Sequence, residues 1–436
     1  MLAVSSDIAI KFLMEKRQEF HEKYPYIVRN KFSCPATMLE NAVFLFAGIL
    51  FAALLVMSFR VGAYVPAILS AAFTIVCSLL LYENNAVLIC SDGEKFRFRK
   101  FLRHYECEVA DASFYNDNKG NYIFRLKDNY ISVPYYYTGL PWIISAIRFA
   151  NGPFGTDEGK EFLKKYIKEK TSRPCFLLLP HSDVVPGLCS TKLGGIPYWE
   201  PGKEYPTDEY GHKMNLLCQL NFAECTDGNG LLPESGILQF FIADNYMYGC
   251  DDYIDEDVAN QRNYRVVFHD TIDERICEED ILPLSPNPEG IMFSPLLTSC
   301  ALEFSPSVSY MKENDYQFSE MIRSAAQEFT GKDFSETLIS DLLGYSMPDR
   351  LYKEISAIIM ETENYVLGHP DFETFDIRNE SDWSEEDTAY FDTALLQLNN
   401  SSGNENLIYY EGLGKAVFLI NSDALRRHDF SRVAYF

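Results

Sequence analysis

Residues 193–242 read LGGIPYWEPGKEYPTDEYGHKMNLLCQLNFAECTDGNGLLPESGILQFFI, and residues 367–420 repeat their landmarks in order: LGHP, then ALLQLN, then GKAVFLI. Gln219 precedes Gly236 by 17 positions and Phe240 by 21, and Gln397 precedes Gly414 by 17 and Phe418 by 21. Each copy is followed by an Arg-led apolar run, RVVFH from Arg265 and RVAYF from Arg432. Landmarks in one order with equal spacings imply an internal duplication. Two long copies, rather than many short ones, imply a pseudo-symmetric globular domain and not a solenoid.

Around the landmarks, CFLLLP, LLCQLNF, GILQFFI, YRVVFH, AVFLI and SRVAYF are short apolar runs bounded by Gly, Pro or Asn, the pattern of strands. YQFSEMIRSAAQEF, FSETLISDLLGYS and MPDRLYKEISAIIMETEN have helical periodicity and lie between the copies. Residues 173–436 are therefore expected to form one α+β domain rich in antiparallel strand.

Upstream the chain changes character. Ala42–Phe59 and Ala63–Tyr82 are uncharged apolar runs of 18 and 20 residues. At helical rise they extend about 27 and 30 Å, the thickness of a bilayer core. Neither shows the polar stripe of a helix in a soluble core. Only Arg60-Val61-Gly62 separates them, so residues 39–83 are expected to form a transmembrane helical hairpin. Lys11, Lys16, Arg17, Lys23, Arg29 and Lys31 precede it and Lys95, Arg97, Arg99, Lys100 and Arg103 follow, against Arg60 alone in the connection. This bias puts both termini in the cytoplasm, with residues 1–38 as a cytoplasmic segment containing a helix over 6–24.

Residues 84–150 read as short strands, AVLICSD, KFRFRKF, ECEVADASFYN, YIFRLK and YISVPYY, divided by turns at Asp92-Gly93, Lys119-Gly120 and Lys127-Asp128-Asn129 and closed by a helix over TGLPWIISAIRFAN. Several strands capped by a helix, directly after a membrane hairpin, resemble the bacterial PH-like domains that sit at membranes. Within them KFRFRK (residues 95–100) reads equally as a headgroup-facing ribbon or as a solvated edge strand. Residues 151–172 read as a linker helix.

Charge separates the two parts. Residues 1–155 hold 16 Lys+Arg against 13 Asp+Glu, and the remainder holds 22 against 50. So acidic a second part repels phosphate backbones, which argues against nucleic-acid binding. Eleven cysteines without a C-x-x-C pair fit a reducing compartment.

The segments STKLGGIPYW, EYP, LLCQLNF, GILQFFI, YGCDD, YRVVFH, LGHPDF, DTALLQLN and DFSRVAYF resemble the YwqG-like family, a bacterial family of unknown function, across most of residues 185–436. The resemblance implies an α+β fold with internal pseudo-duplication and supplies no activity or catalytic residues. Two departures stand out. The acidic residues usual after the second LLQL are replaced by Asn399-Asn400-Ser401-Ser402, and a W-G-D-x-G-like segment is Tyr410-Glu411-Gly412-Leu413-Gly414. The location implied by the anchor and the resemblance together is a bacterial cell membrane.

No G-x-S-x-G elbow, phosphate-binding loop or H-E-x-x-H helix is present, and the seven histidines include no pair at zinc-ligand spacing. No cofactor or metal is expected. His369, Asp371, Asp376 and Arg378 make the densest polar cluster beside a repeat landmark; it reads either as a ligand-binding or proton-transfer site or as a polar turn capping backbone groups. Gln219 and Gln397 are amides in apolar strands that need buried partners, either each other across the pseudo-twofold axis or a ligand in a pocket there. Arg265 and Arg432 open matched strands and are expected either to pair with a buried carboxylate such as Glu303 or Asp376 or to line a ligand pocket with the two glutamines. Gly194, Gly195 and Pro197 shape a tight turn. Asp251, Asp252, Asp255, Glu256 and Asp257 form an acidic run, either a solvated loop or a surface for a basic partner protein. The composite expectation is a membrane-anchored interaction module, with a small-ligand-binding domain as the alternative and an unrecognised enzyme third.

Overall fold

The computed structural model describes residues 18–20, 22–24, 26–29, 35–85, 88–100, 103–117, 120–181, 183–226, 230–250, 257–287, 290–344, 350–359, 364–372, 375–379, 383–400, 408 and 414–436. Two compact units divide the chain: Met1–Leu163 with Ile322–Glu354, and Lys164–Met321 with Ile355–Phe436. Residues 322–354 thus group with the first unit, although they lie in sequence between the two repeat copies.

In the first unit, helices α1 (Pro35–Arg60) and α2 (Tyr64–Asn85) form the hairpin, turning through Gly62 at φ +72°. They touch along their length, and Phe51 stacks on Phe73 with ring centroids 4.6 Å apart. Many of their apolar side chains point outward: Phe46, Val65 and Ile68 are all strongly exposed. Met38–Arg60 and Tyr64–Tyr82 are two helices long and apolar enough to cross a membrane, and the protein buries none of the first apolar window and 17% of the second.

Strands β1 (Tyr26–Val28), β2 (Ile89–Ser91), β3 (Lys95–Lys100) and β4 (Arg103–Glu108) form an antiparallel sheet in chain order. The segment ECEVADASFYN does not make one strand. A 3-10 turn at Val109–Asp111 breaks it, and β5 (Ala112–Asn116) joins β6 (Asn121–Leu126) and β7 (Asn129–Pro134) in a separate three-stranded sheet. Alternation explains the shared core: Phe96 and Phe98 point in while Lys95 and Arg97 point out. Helix α3 (Leu140–Ala150) adds Ile143 and Ile147 to this core. Helix α4 (Asp157–Thr171) follows.

The second unit is built on a ten-stranded sheet containing β8 (Arg173–His181), β9 (Lys192–Leu193), β10 (Asn215–Asn221), β11 (Ile237–Ile242), β12 (Tyr264–His269), β13 (Cys300–Ser309), β14 (Asn364–Val366), β15 (Thr393–Asn399), β16 (Lys415–Ile420) and β17 (Ala434–Tyr435). The strand order is β12-β11-β10-β9-β13-β8-β14-β15-β16-β17. The repeat copies are the two arms of this sheet, and their registers coincide. The β10–β11 pairing runs from Asn215↔Ile242 to Asn221↔Ile237 and skips a residue between Leu216 and Cys218. The β15–β16 pairing runs from Thr393↔Ile420 to Asn399↔Lys415 and skips one between Ala394 and Leu396. Matched bulges at Leu217 and Leu395 bend both arms, and Gly236 and Gly414 enter β11 and β16 at φ +104° and +74°.

The sheet is nearly closed and barrel-like. Tyr264 of β12 meets Tyr435 of β17, with ring centroids 5.3 Å apart, and the Tyr264 hydroxyl donates to Val433 O over 2.8 Å. Across the interior, Phe240 and Phe418 are 4.8 Å apart. Strands buried on both faces explain why LLCQLNF and GILQFFI read as continuous apolar runs. Leu220, Leu238, Phe240, Leu396, Leu398 and Phe418 fill the inside. Outside, Trp199, Tyr205 and Phe241 cover one arm, and Phe391, Val417 and Leu419 the other.

Short helices α5 (Glu278–Ile281), α9 (Glu385–Tyr390) and α10 (Ser422–Arg426) decorate this unit. Helix α6 (Phe318–Thr330) begins here and continues in the first unit, where α7 (Ile339–Leu343) packs on α3. Helix α8 is Arg350–Ile359.

Candidate functional site

The matched glutamines do the same work in each arm. Gln219 Oε1 accepts from Tyr198 N at 2.9 Å, and its Nε2 donates to Leu188 O and Ser190 O, each at 2.9 Å. Gln397 Oε1 accepts from Asp371 N at 3.2 Å, and its Nε2 donates to Asp371 O at 3.0 Å and Asn399 Oδ1 at 3.2 Å. Each amide ties the Gly-rich landmark loop, LGGIPYW or LGHPDF, onto the outer face of its own arm. The bond between the two glutamines that the sequence offered as one reading is not formed; the apolar barrel interior lies between the arms. Gly194 and Gly195 do form the tight turn, at φ +59° and +76°, and a Cβ on Gly194 would lie 2.9 Å from Leu296 Cδ1.

The first arm carries more. Gln239, opposite Gln219 in the ladder, donates from Nε2 to Gln219 Oε1 at 2.8 Å and to Tyr198 O at 2.7 Å. Its Oε1 lies 3.0 Å from His269 Nε2, and His269 Nδ1 lies 3.3 Å from Glu200 Oε1. Gln219, Gln239 and His269 are buried, whereas the Glu200 side chain is 32% exposed and pairs with Lys203 at 2.7 Å. The network fixes its own protons. Gln219 Nε2 faces two carbonyls and must donate, so its Oε1 is an acceptor. Gln239 Nε2 then faces two acceptors, so its Oε1 is the atom turned toward His269. His269 Nε2 must therefore carry hydrogen, and Nδ1 is the titrating atom beside Glu200. Burial pulls the His269 pKa below its ordinary value, while the hydrogen bond to Glu200 pulls the other way. Tyr198 and Trp199 rings stand edge-on to the imidazole, both at 5.2 Å.

Lys192 joins the same network through Leu188 O. Its buried Nζ donates to Gly187 O and Leu188 O at 2.9 Å and Ile196 O at 2.7 Å. Burial lowers its pKa to about 8, against the opposing pull of Glu278. In the second arm Val417 occupies the place of Gln239, opposite the matched Gln397, and among the described residues the relay has no counterpart there.

The His369, Asp371, Asp376 and Arg378 cluster separates into three environments. His369 Nε2 bonds Thr171 O at 2.7 Å; burial, then the Arg173 charge, lowers its pKa to about 3, so the ring is neutral. Asp371 pairs with Lys415 at 2.8 Å. Arg378 binds Asp376 at 2.6 Å, Asp315 at 3.1 Å and Phe391 O at 2.9 Å, all closed to solvent. Among the described residues no hydrogen bond joins His369 to the other three. The expected partners of Arg265 and Arg432 are also corrected. Arg265 is exposed; Arg432 pairs with Asp387 at 2.6 Å and approaches Asp257 at 4.0 Å. Asp376 belongs to Arg378, and Glu303 to His181 at 2.7 Å.

Asp251, Asp252, Asp255 and Glu256 lie outside the described residues, as do 401–407 and 409–413. In the first unit, Lys95 and Arg97 pair with Glu106 and Glu108 of the neighbouring strand, and Arg99 is buried 5.0 Å from the Tyr82 ring at the end of α2. Sequence pointed to Gln219 but missed Gln239, His269, Glu200 and Lys192. Gln239 interrupts GILQFFI as Gln219 interrupts LLCQLNF, and that same signal could have found it.

Fold and network define a two-part chain: an apolar helical hairpin with a small β unit, and an α+β unit whose barrel-like sheet is braced from outside by buried amides. Residues 191–436, more than half of the chain, match the family described as a domain of unknown function, DUF1963, and the chain belongs to that family. No curated protein matches it.

Proposed function

We propose that this is a membrane-anchored protein whose hairpin holds the DUF1963 domain at the cytoplasmic face, where the acidic domain acts as a protein-interaction module of the kind an immunity protein provides against its target. The observation that carries the reading is the hairpin, whose apolar surface the protein itself leaves uncovered. Lysine and arginine flank both open ends. The charge asymmetry supports a basic partner, since an acidic surface speeds encounter with one.

The finer assignments belong to the same reading. The match over 191–436 coincides with the span that resembles the YwqG-like family, and the equal registers of the two arms support an internal duplication. Two antiparallel sheets of four and three strands closed by α3 support a PH-like unit between the anchor and a domain beginning near residue 173. Crosslinking of the full chain in its native membrane tests the function. A basic protein captured at low salt, and lost when Asp251, Asp252, Asp255, Glu256 and Asp257 are changed to Asn or Gln, supports it. Unchanged capture by that variant counts against the acidic run.

A second reading has one observation in its favour. His269 turns a titratable nitrogen toward a partly exposed carboxylate, which is how a ligand-binding or proton-transfer site is built. This reading puts the site on the outer face of the first arm, at Glu200. Binding of small molecules that protects Trp199 emission in the wild type and not in Glu200→Gln tests it.

A further inference from the structure

We infer that the loop from β7 into α3 is a second membrane contact, with Tyr135, Tyr136 and Trp142 seated in the lipid headgroup layer beside the hairpin; this rests on the membrane-anchored reading above. Three observations place the loop at the open end of the hairpin. Thr138 and Arg29 exchange backbone hydrogen bonds at 3.0 and 3.3 Å, tying the loop to the segment that leads into α1. Gly139 approaches Ile27 so closely that a Cβ would fall 2.0 Å from the Ile27 carbonyl oxygen. The Tyr137 hydroxyl, raised in pKa chiefly by burial, also feels Tyr136 and the charge of Glu40, near the start of the first span. At the end of the second span, Arg99 of β3 lies over Tyr82. The β unit is therefore held against the ends of both apolar helices.

What the loop presents there is aromatic. Tyr135 is 72% exposed and Trp142 50%, large values for residues that gain by burial. Tyr135 meets Tyr136 edge-on at 5.7 Å and Tyr136 meets Tyr137 tilted at 5.5 Å, a row of rings with polar tips. Rings that are apolar in body and polar at the edge partition to the bilayer interface, where one side meets acyl chains and the other water. Lipid headgroups are the occupant that continuity with the hairpin selects.

Trp142 also makes the test direct, because the chain has three tryptophans and the other two, Trp199 and Trp383, are buried. Full-length protein is reconstituted in lipid nanodiscs whose acyl chains carry bromine either near the carbonyl end or near the terminal methyl. The expected result is loss of most of the Trp142 share of emission with shallow bromine, little loss with deep bromine, and no lipid-dependent loss in Trp142→Phe. Co-elution of chain and lipid with emission indifferent to bromine would overturn the inference while leaving the anchor standing. Failure of the chain to enter nanodiscs at all would overturn the anchor and this contact together.

Discussion

Gln239 donates its amide hydrogen to Gln219 Oε1 across 2.8 Å in a site closed to solvent, and that bond dictates the tautomer of a histidine on the next strand. The neutral His269 is predicted to carry its proton on Nε2. Nitrogen NMR of ring-labelled protein checks this, and a dominant Nδ1–H signal at neutral pH would contradict the donor assignments.

Replacing Gln239 by Leu should leave His269 Nε2–H and Tyr198 O without their buried partners. Each such group costs about 1–3 kcal/mol. The denaturation midpoint, followed by the near-UV signal of Trp199, should fall accordingly. A change within error would show that water or a rotated ring takes over.

His369 has a sharper pH signature. Its folded pKa of about 3 lies below the ordinary 6.5, so its neutral form stabilises the fold fully above pH 6.5. As pH falls from 6.5 toward 3, the unfolded chain takes a proton that the folded chain refuses, and stability declines by at most about 1.4 kcal/mol per pH unit. His369→Gln keeps a donor for Thr171 O and should flatten the acid limb relative to the wild type. Parallel limbs would show that His369 titrates normally. His269 is shifted in the same direction, so its neutral form also counts fully above 6.5; acidification should tighten its contact with Glu200, because the imidazolium then donates to both neighbours.

The matched-strand arginine and the cluster arginine should differ widely. Arg378→Met removes the ion-pair partner of the buried Asp376 and Asp315, a loss of about 3–5 kcal/mol. Arg432→Met removes a pair whose arginine is 38% exposed, worth about 1 kcal/mol or less. Comparing the two melting temperatures checks the ranking, and equal losses would contradict it.

A fragment beginning at residue 173 keeps α7 but loses α3. Arg148 pairs with Asp341 at 2.7 Å, and Ser145 donates to Ser340 O at 3.1 Å, while Leu342 and Leu343 are buried. Limited proteolysis should therefore cut the fragment within 331–344 much faster than the full chain. Equal protection would show that α7 does not need α3.

Local chemistry was legible, and partnership was not. The two apolar runs, the helix over residues 140–150 and the strands of both arms follow from periodicity and punctuation. Gly236 and Gly414 mark left-handed turns that glycine adopts readily. The split of ECEVADASFYN went unread because a 3-10 turn at Val109–Asp111 has no strong sequence signal. The ion pairs were misassigned for a different reason. Arg378 and Asp315 are distant in sequence and meet only through the fold, and Arg432 finds Asp387 in a helix that the repeat pattern does not contain. Likewise, Glu200, Gln239 and His269 come from a loop and two strands, so only the ladder register brings them into line.

The most direct test of the anchor is a protease-accessibility measurement on full-length protein carrying a tag at each end, after an alkaline wash of the membranes. The protein should stay in the washed membrane; both tags should survive protease added to intact cells, and both should be lost from inverted vesicles. Release by the wash, or cleavage of either tag in intact cells, would contradict a hairpin that holds both ends in the cytoplasm.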